Sequence, residues 1–421
     1  LNTDRSSASR ICIVGAGPGG AGAALRLSYL GIPCTLIDKA VFPRDKICGD
    51  AISGKVTTLL NRLDPAIMER FQALAGTGHI DVWGMHFVAP NGKGIGIPFK
   101  PNFQKGAEPA PGYVSKRIDF DHFLVDEVKR RDNICFWEGL AVTGYERTDA
   151  GYRVVTADPE RVVDCQLLFV ADGAQSGFSR KQAGLEKDPA HHAGAVRAYY
   201  KDVKGLHPDN FIELHFLKDV LPGYFWIFPL PNGYANVGLG MRTDYLSKRK
   251  INLRARLEEL IREHPTLKDR FEDATLEGKV IGYGLPLGSK KRVLSGDHYL
   301  LLGDAGHLVD PLTGEGIGNA LYSGFIAAEL AEKCLNEQDF TATFLKAYDV
   351  RVARVLGQEM QLSYRVQRLL RYPWLINRIA GLVQNNLRFL DTMSRMYTDF
   401  ELRKKLINPL FWLRFLRKKQ P

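Results

Sequence analysis

Residues Ile11 to Val14 form a short apolar run that ends on a glycine turn, and the following "AGPGGAGAALRLSYL" carries Ala and Leu at helical spacing until Gly31 stops it. A second apolar run closes at Asp38. Strand, glycine turn, helix and strand within about 30 residues predict a βαβ unit. Helical spacing returns near Val56 to Phe71, and "HIDVWGMHFVAPNGKGIGIPF" alternates apolar and polar positions around a turn at Asn91-Gly92. "SKRIDFDHFLVDEVKRR" reads as a helix, and "VVDCQLLFVADGAQSGFSR" as a buried strand with a glycine turn. From Gly194 to Met241 four alternating segments predict an antiparallel sheet outside the nucleotide unit. A helix stopped by Pro265, then a strand, a loop and a long helix follow, and beyond Phe340 the chain is helical and rich in Arg, Leu and aromatics.

These elements predict an α/β fold whose units are interleaved. Segments 1–78, 115–188 and 286–345 build a Rossmann-like nucleotide-binding domain. Segments 79–114 and 189–285 supply an inserted antiparallel substrate sheet, and 346–421 form a helical extension with a basic, aromatic tail. Such a division suits 421 residues, which exceed one simple core.

Composition changes this picture little. A hydrophobic content of 45% and a charged content of 25% are those of an ordinary globular chain. Of the formal charge of +10, the last 21 residues hold +6, with seven Lys/Arg against Glu401. The body is only mildly basic, so nucleic-acid binding is not expected. The six cysteines form no C-x-x-C pair, which points away from zinc and iron–sulfur sites and toward a reducing compartment. No metal site is expected. Without an apolar run of about 18 residues or a signal-peptide core, the expected location is cytoplasmic. The tail, with Leu410, Phe411, Trp412, Phe415 and Leu416 among its cations, suits either peripheral contact with a membrane or packing on the protein.

Chemistry begins at Gly15-Ala16-Gly17-Pro18-Gly19-Gly20. Gly15 permits the tight turn, Gly17 lets backbone approach a pyrophosphate, and Gly20 lets helix and strand pack closely. Asp38 is placed to accept hydrogen bonds from a ribose. This fingerprint alone does not separate NAD from FAD.

Two later segments do: "FVADGAQSGFSR", with Asp172-Gly173 and Ser176, and "LLLGDAGHLVDPLTGEGIGNAL", with Gly303-Asp304, Pro311, Gly314, Gly316, Ile317 and Gly318. Together with the fingerprint they resemble the FAD-binding set of para-hydroxybenzoate hydroxylase-type flavoproteins. That resemblance implies FAD, with Asp304 on the ribityl chain and Asp172 near the pyrophosphate. It also implies contacts from Arg117, from the adenine-flanking Ala141-Val142, and from Lys39. If Gly316, Ile317 and Gly318 start the last long helix, its N–H groups point at the flavin N1/C2 carbonyl edge. Glu315 is expected to cap that helix or to be solvated, with an acid/base role as the alternative.

The resemblance narrows in "PRDKICGD", which is similar to the P-x-x-K-x-C-G loop of the geranylgeranyl reductase family, and in "GYFWIFPLPNGYANVGLG", similar to that family's aromatic strand. The implied arrangement puts Lys46, Cys48 and Gly49 beside the flavin, with Gly49 clearing the ring. Tyr224, Trp226, Phe228 and Pro229 would line a substrate cavity. Cys48 is then a pocket wall, a catalytic proton donor or a redox thiol. The implied activity is saturation of carbon–carbon double bonds in an isoprenoid or other long apolar substrate. Electrons would come from NAD(P)H visiting the same cleft or from a ferredoxin-like redox partner, since no second fingerprint exists. Rival expectations are an FAD-dependent monooxygenase or halogenase acting on an aromatic substrate, and an electron-relaying flavoprotein docked to a membrane.

Overall fold

Six strands form a sheet in the order Ser295–Gly296, Tyr299–Leu301, Leu167–Val170, Ile11–Val14, Cys34–Asp38, Ile134–Glu138, in a computed structural model that describes residues 6–8, 10–384, 387–396, 400–405, 408 and 411. All neighbours are parallel except the first pair. The central strands Ile11–Val14 and Leu167–Val170 are buried on both faces, which is why they read as unbroken apolar runs. Helix Pro18–Tyr29 follows the first strand as predicted, and the last long helix is Ile317–Glu337, starting at the predicted glycines.

These two helices lie unusually close. A Cβ on Gly22 would sit 2.5 Å from Leu321 Cδ2, and one on Gly324 would sit 2.4 Å from the Gly19 carbonyl oxygen. Neither glycine stands out in the sequence, yet together they bring both helix N-termini to the same place. The helix expected near Val56 to Phe71 is two helices, Gly54–Leu63 and Pro65–Gln72. Pro65 cannot continue the first, and the Asp64 carboxylate caps the second by accepting from the Ala66 N–H.

The second sheet has seven strands, in the order Thr275–Pro286, His192–Lys201, Tyr234–Arg242, Tyr224–Pro229, Ile212–His215, Gly84–Val88, Gly94–Pro98. It is antiparallel but for one join: Ile212–His215 runs parallel to Gly84–Val88, where the predicted hairpin attaches from an earlier part of the chain. Thr275–Pro286 escaped the pattern because its three glycines and mostly exposed first half blur the alternation.

This sheet is apolar on both faces. One face packs Phe225, Ile227, Val237 and Leu239 with Leu257 and Leu260 of helix Leu253–Glu263. The opposite residues of the same strands face the C-terminal helices Gln358–Leu369 and Pro373–Gln384 across an open space. Among the described residues, no helix is long and apolar enough to cross a membrane. No group of His, Cys, Asp or Glu among them is placed to hold a metal ion. Of the tail at 401–421, only residues 401–405, 408 and 411 are described, so the expected membrane contact there falls mostly outside the described residues.

Candidate active site

That open space is one end of a single cavity of about 1410 Å³ running between the two sheets. Its polar end is built by the first sheet. Gly15, at φ +101°, has room for no side chain, because a Cβ would meet the Ala171 carbonyl oxygen at 2.4 Å. Gly20 likewise presses against the Gly15 carbonyl. Gly17, in contrast, opens on the cavity, with only Arg44 Nη2 within 4 Å of its absent Cβ.

Helix Pro18–Tyr29 begins at Gly17 and helix Ile317–Glu337 at Gly316, both without a side-chain cap. Two uncapped, partially positive helix ends therefore open on one cavity. Asp38 accepts hydrogen bonds from the Ala16 N–H (2.6 Å) and the Ala40 N–H (2.8 Å), which fixes its carboxylate at the end of its strand. Burial raises the Asp172 pKa to about 6. Lys46 lies 3.6 Å from Asp304 and over the Tyr283 ring.

Where the two sheets meet, the loop 41–50 crosses the cavity. Arg117, almost fully buried, pairs bidentately with Asp121 at 2.7 Å, and Arg44 shares that carboxylate. The guanidinium of Arg117 also neighbours Cys48. Gly49 faces the aromatic strand: a Cβ there would be 3.3 Å from the Phe228 ring. Its clearance is thus for Phe228 as well as for the cavity.

Asp50 follows, fully buried in a left-handed conformation (φ 66°). Its Oδ2 accepts from Tyr199 Oη (2.8 Å) and Asn236 Nδ2 (2.7 Å), while Oδ1 is buried without a hydrogen-bond partner. Burial raises its pKa to about 6, against the lowering pull of Asn236, Arg197 and Tyr199. Asn236 ties the region together. Its amide also donates to the Cys48 carbonyl (2.8 Å), and its Oδ1 accepts from Trp226 Nε1 (2.8 Å).

The far end of the cavity is apolar. Alternate residues of neighbouring strands line it: Met85 and Phe87, Ile95 and Ile97, Ile212 and Leu214, then Tyr224, Trp226 and Phe228. The three aromatic rings follow one another along one side, edge-on and then tilted, at spacings of 6.1 and 6.2 Å, on the common face that the alternation predicts. Val366, Leu370, Leu375, Ile379 and Leu382 close the opposite side.

The cavity gathers most of the sequence-selected residues. Gly15, Gly17, Pro18, Gly19, Asp38, Lys39, Lys46, Cys48 and Gly49 line it, as do Arg117, Ala141, Val142, Asp172 and Gly173. So do Gly303, Asp304, Pro311, Gly314, Gly316 and Ile317. Five others do not reach the lining. Ala16 is buried and gives its N–H to Asp38, and Gly20 packs on Gly15. Ser176 caps the helix Gly177–Lys181. A Cβ on Gly318 would meet Lys55 Cβ at 2.9 Å, so that glycine serves helix packing. Pro229 pairs with Ala235 at the strand end.

Glu315 does not cap the helix: Ser53 donates to it and Lys55 lies at 3.6 Å, leaving it half-buried on the cavity lining. Sequence reasoning passed over Asn236, Tyr199 and the C-terminal wall. It also left Asp50 without a role, though it follows Gly49 directly.

No protein-family model matches the chain. A digeranylgeranylglycerophospholipid reductase of Methanococcus vannielii is 30% identical over 391 residues, 90% of this chain and 92% of that protein. A menaquinone reductase of Mycobacterium tuberculosis is 28% identical over 399 residues, 92% of this chain and 91% of its own length. Among solved structures, a geranylgeranyl bacteriochlorophyll reductase-like protein of Thermoplasma acidophilum superposes with a TM-score of 0.77 at 22% identity. It spans 90% of this chain and 92% of its own. A flavin-dependent brominase gives 0.74 at 22%, covering 93% of both, and at that identity shares the fold. The fold, the ordered glycine and acid segments, and a likeness extending over nine-tenths of the chain converge: this protein belongs to the geranylgeranyl reductase family and is an FAD-dependent oxidoreductase.

Proposed function

We propose that this enzyme saturates carbon–carbon double bonds of a long isoprenoid chain carried by a lipid or quinone. The observation that carries the reading is the continuity of the cavity, from two uncapped helix N-termini to an apolar channel walled by alternate strand residues and the C-terminal helices. At about 1410 Å³ it exceeds the roughly 300–1,000 Å³ of a pocket for one small ligand. It has room for a dinucleotide and a chain together.

FAD fits the polar end. The open face of Gly17 and the start of helix Pro18–Tyr29 suit its pyrophosphate, and Asp38 its ribose. Asp304 and Lys46 would meet the ribityl chain, and Gly316-Ile317 the ring edge that turns negative on reduction. The sequence has one fingerprint only, so electrons reach this site from a nicotinamide sharing the cleft or from a protein donor. The two relatives' names, a digeranylgeranyl phospholipid and a menaquinone, agree on a polyisoprenoid tail and differ in the headgroup.

Held at the polar end by these residues, reduced FAD would supply hydride, one hydrogen with its electron pair, for one alkene carbon. The other carbon needs a proton, and Asp50 is the group this chain offers. It lies at the junction of the polar and apolar ends, its Oδ1 is unpartnered, and burial keeps its carboxyl protonatable close to neutral pH. Tyr199 and Asn236 hold it, and Asn236 couples it to Trp226 on the channel wall. Arg197, which pairs with the partly exposed Asp45, stacks on Tyr199 and gives a polar route to solvent for reprotonation. Cys48 is left as a wall beside Arg117.

The test is turnover with dithionite as reductant and a polyprenyl lipid as substrate. Product heavier by one hydrogen pair for each double bond supports the reading. Unchanged lipid, with turnover of a small aromatic in oxygen instead, would replace it by a monooxygenase or halogenase.

A further inference from the structure

The mouth of the apolar channel carries a surface of arginines and large apolar side chains. Across 365–378 seven residues are exposed: Arg365, Arg368, Leu369, Arg371, Tyr372, Trp374 and Arg378. Each is an arginine or a large apolar or aromatic side chain. Trp374 is 65% exposed, against 3% for Trp83 and 7% for Trp226, although an indole is highly buried on average. Between Glu359 and Asp391 the sequence carries five arginines and no Asp, Glu or Lys. Among the described residues, Arg365, Arg368 and Arg378 form no ion pair, and Arg371 turns to the Tyr372 hydroxyl at 2.5 Å. The surface is therefore cationic and uncompensated.

It is also continuous with the channel. Leu369, Leu370, Trp374, Leu375 and Arg378 belong both to this segment and to the cavity lining. Around the corner Tyr245 carries Arg242 and Arg249 against its ring, and Lys248, Arg249 and Lys250 are exposed. The nearby acid Asp219 is taken up by Arg256 at 2.9 Å.

We propose that this collar docks on an anionic lipid bilayer, with Trp374, Tyr372 and Leu369 in the headgroup layer and the arginines on lipid phosphates. Aromatic rings beside arginines match such an interface, where one end of each group is apolar and the other wet. A protein partner of the same chemistry would need a matching acidic and apolar patch. A bilayer supplies that pairing, and its hydrocarbon continues the apolar path into the cavity. The inference rests on the proposed function only for what passes through the mouth, since docking requires no isoprenoid and no flavin chemistry. It places the contact in the turn between two C-terminal helices, apart from the basic tail.

The experiment uses the full chain and vesicles free of isoprenoid. Co-sedimentation with phosphatidylglycerol vesicles is compared with phosphatidylcholine vesicles. Brominated acyl chains then report, by fluorescence quenching, whether an indole enters the bilayer. Binding is expected to be salt-sensitive and specific to phosphatidylglycerol. The Arg368→Gln/Arg371→Gln double variant, both positions outside the cavity lining, should bind on the order of tenfold more weakly or less. The matching pair of Lys substitutions should retain most binding, and melting curves check that each variant folds. Quenching should disappear in Trp374→Phe and persist in Trp412→Phe. Four results would overturn the proposal: equal binding to both lipids, unchanged binding by the Gln pair, quenching lost only with Trp412, or a concentration-dependent dimer that shields Trp374 without vesicle binding.

Discussion

The two ends of the cavity are built in opposite ways. The polar end is made by contact: Gly15 against Ala171, Gly20 against Gly15, Gly324 against Gly19, each close enough that one methyl group would not fit. The apolar end is made by separation: Ile376 and Ala380 of the C-terminal helices share an apolar cluster with the seven-stranded sheet, yet an open channel remains between them. A cofactor retained through every turnover is served by a rigid cradle. A long flexible substrate that must enter and leave is served by a wall of alternating side chains. The same substitution should therefore have different consequences at the two ends.

The largest effect is expected where contact is tightest. Gly15→Ala forces a Cβ to 2.4 Å from a carbonyl oxygen at positive φ. Denaturant unfolding should show a loss of about 3 kcal/mol or more, and the desalted protein should retain no flavin.

Asp50→Asn, at the junction, should keep its flavin and its rate of flavin reduction yet lose about 10²–10⁴-fold in turnover. Its stability carries a second signature. The folded pKa of Asp50 is raised to about 6, so stability tied to the neutral carboxyl is complete below its ordinary range. That stability is lost as pH rises through about 6. Asp50→Asn removes the loss, so above pH 6 the variant should gain up to about 3 kcal/mol on the wild type, with no gain below about pH 4. Melting curves across that range check it. Equal pH dependence would mean that Asp50 is not the buried acid described.

Narrowing the channel should leave the cradle untouched. Met85→Trp is expected to keep flavin content and melting temperature, while raising KM about tenfold for long isoprenoids and sparing short ones. Loss of flavin in this variant would show that the two ends are not separable. The smallest change is expected from Cys48→Ala, with turnover within a few-fold of the wild type. A loss on the scale of Asp50→Asn would make the thiol the proton donor instead.

The same contrast explains what the sequence disclosed. Cradle residues are legible because turn, phosphate approach and ribose contact occur within one local unit, from Gly15 to Asp38. The start of the long helix at Gly316 was legible for the same reason. The aromatic wall was half legible: alternation gave the common face of Tyr224, Trp226 and Phe228, while the opposing Leu375 and Ile379 lie about 150 positions away. Nothing local announces that pairing.

Asp50 illustrates the other limit. Its loop drew attention, but its partners Tyr199 and Asn236 arrive from strands 149 and 186 positions distant, and only burial distinguishes this carboxyl from a turn acid. Glu315 shows the reverse error. A cap was a reasonable local expectation, and Ser53 and Lys55, from a helix start remote in sequence, claimed it.

The central claim is that one cavity joins an FAD cradle to a channel for an isoprenoid chain. Its most direct test is an anaerobic single turnover: reduced enzyme mixed with isoprenoid lipids of increasing chain length, with flavin re-oxidation followed by absorbance. The account predicts re-oxidation by the lipid in the absence of oxygen, faster as the chain lengthens until the channel is filled, with the Asp50→Asn variant stalled at every length. Re-oxidation that ignores the lipid and waits for oxygen would contradict it.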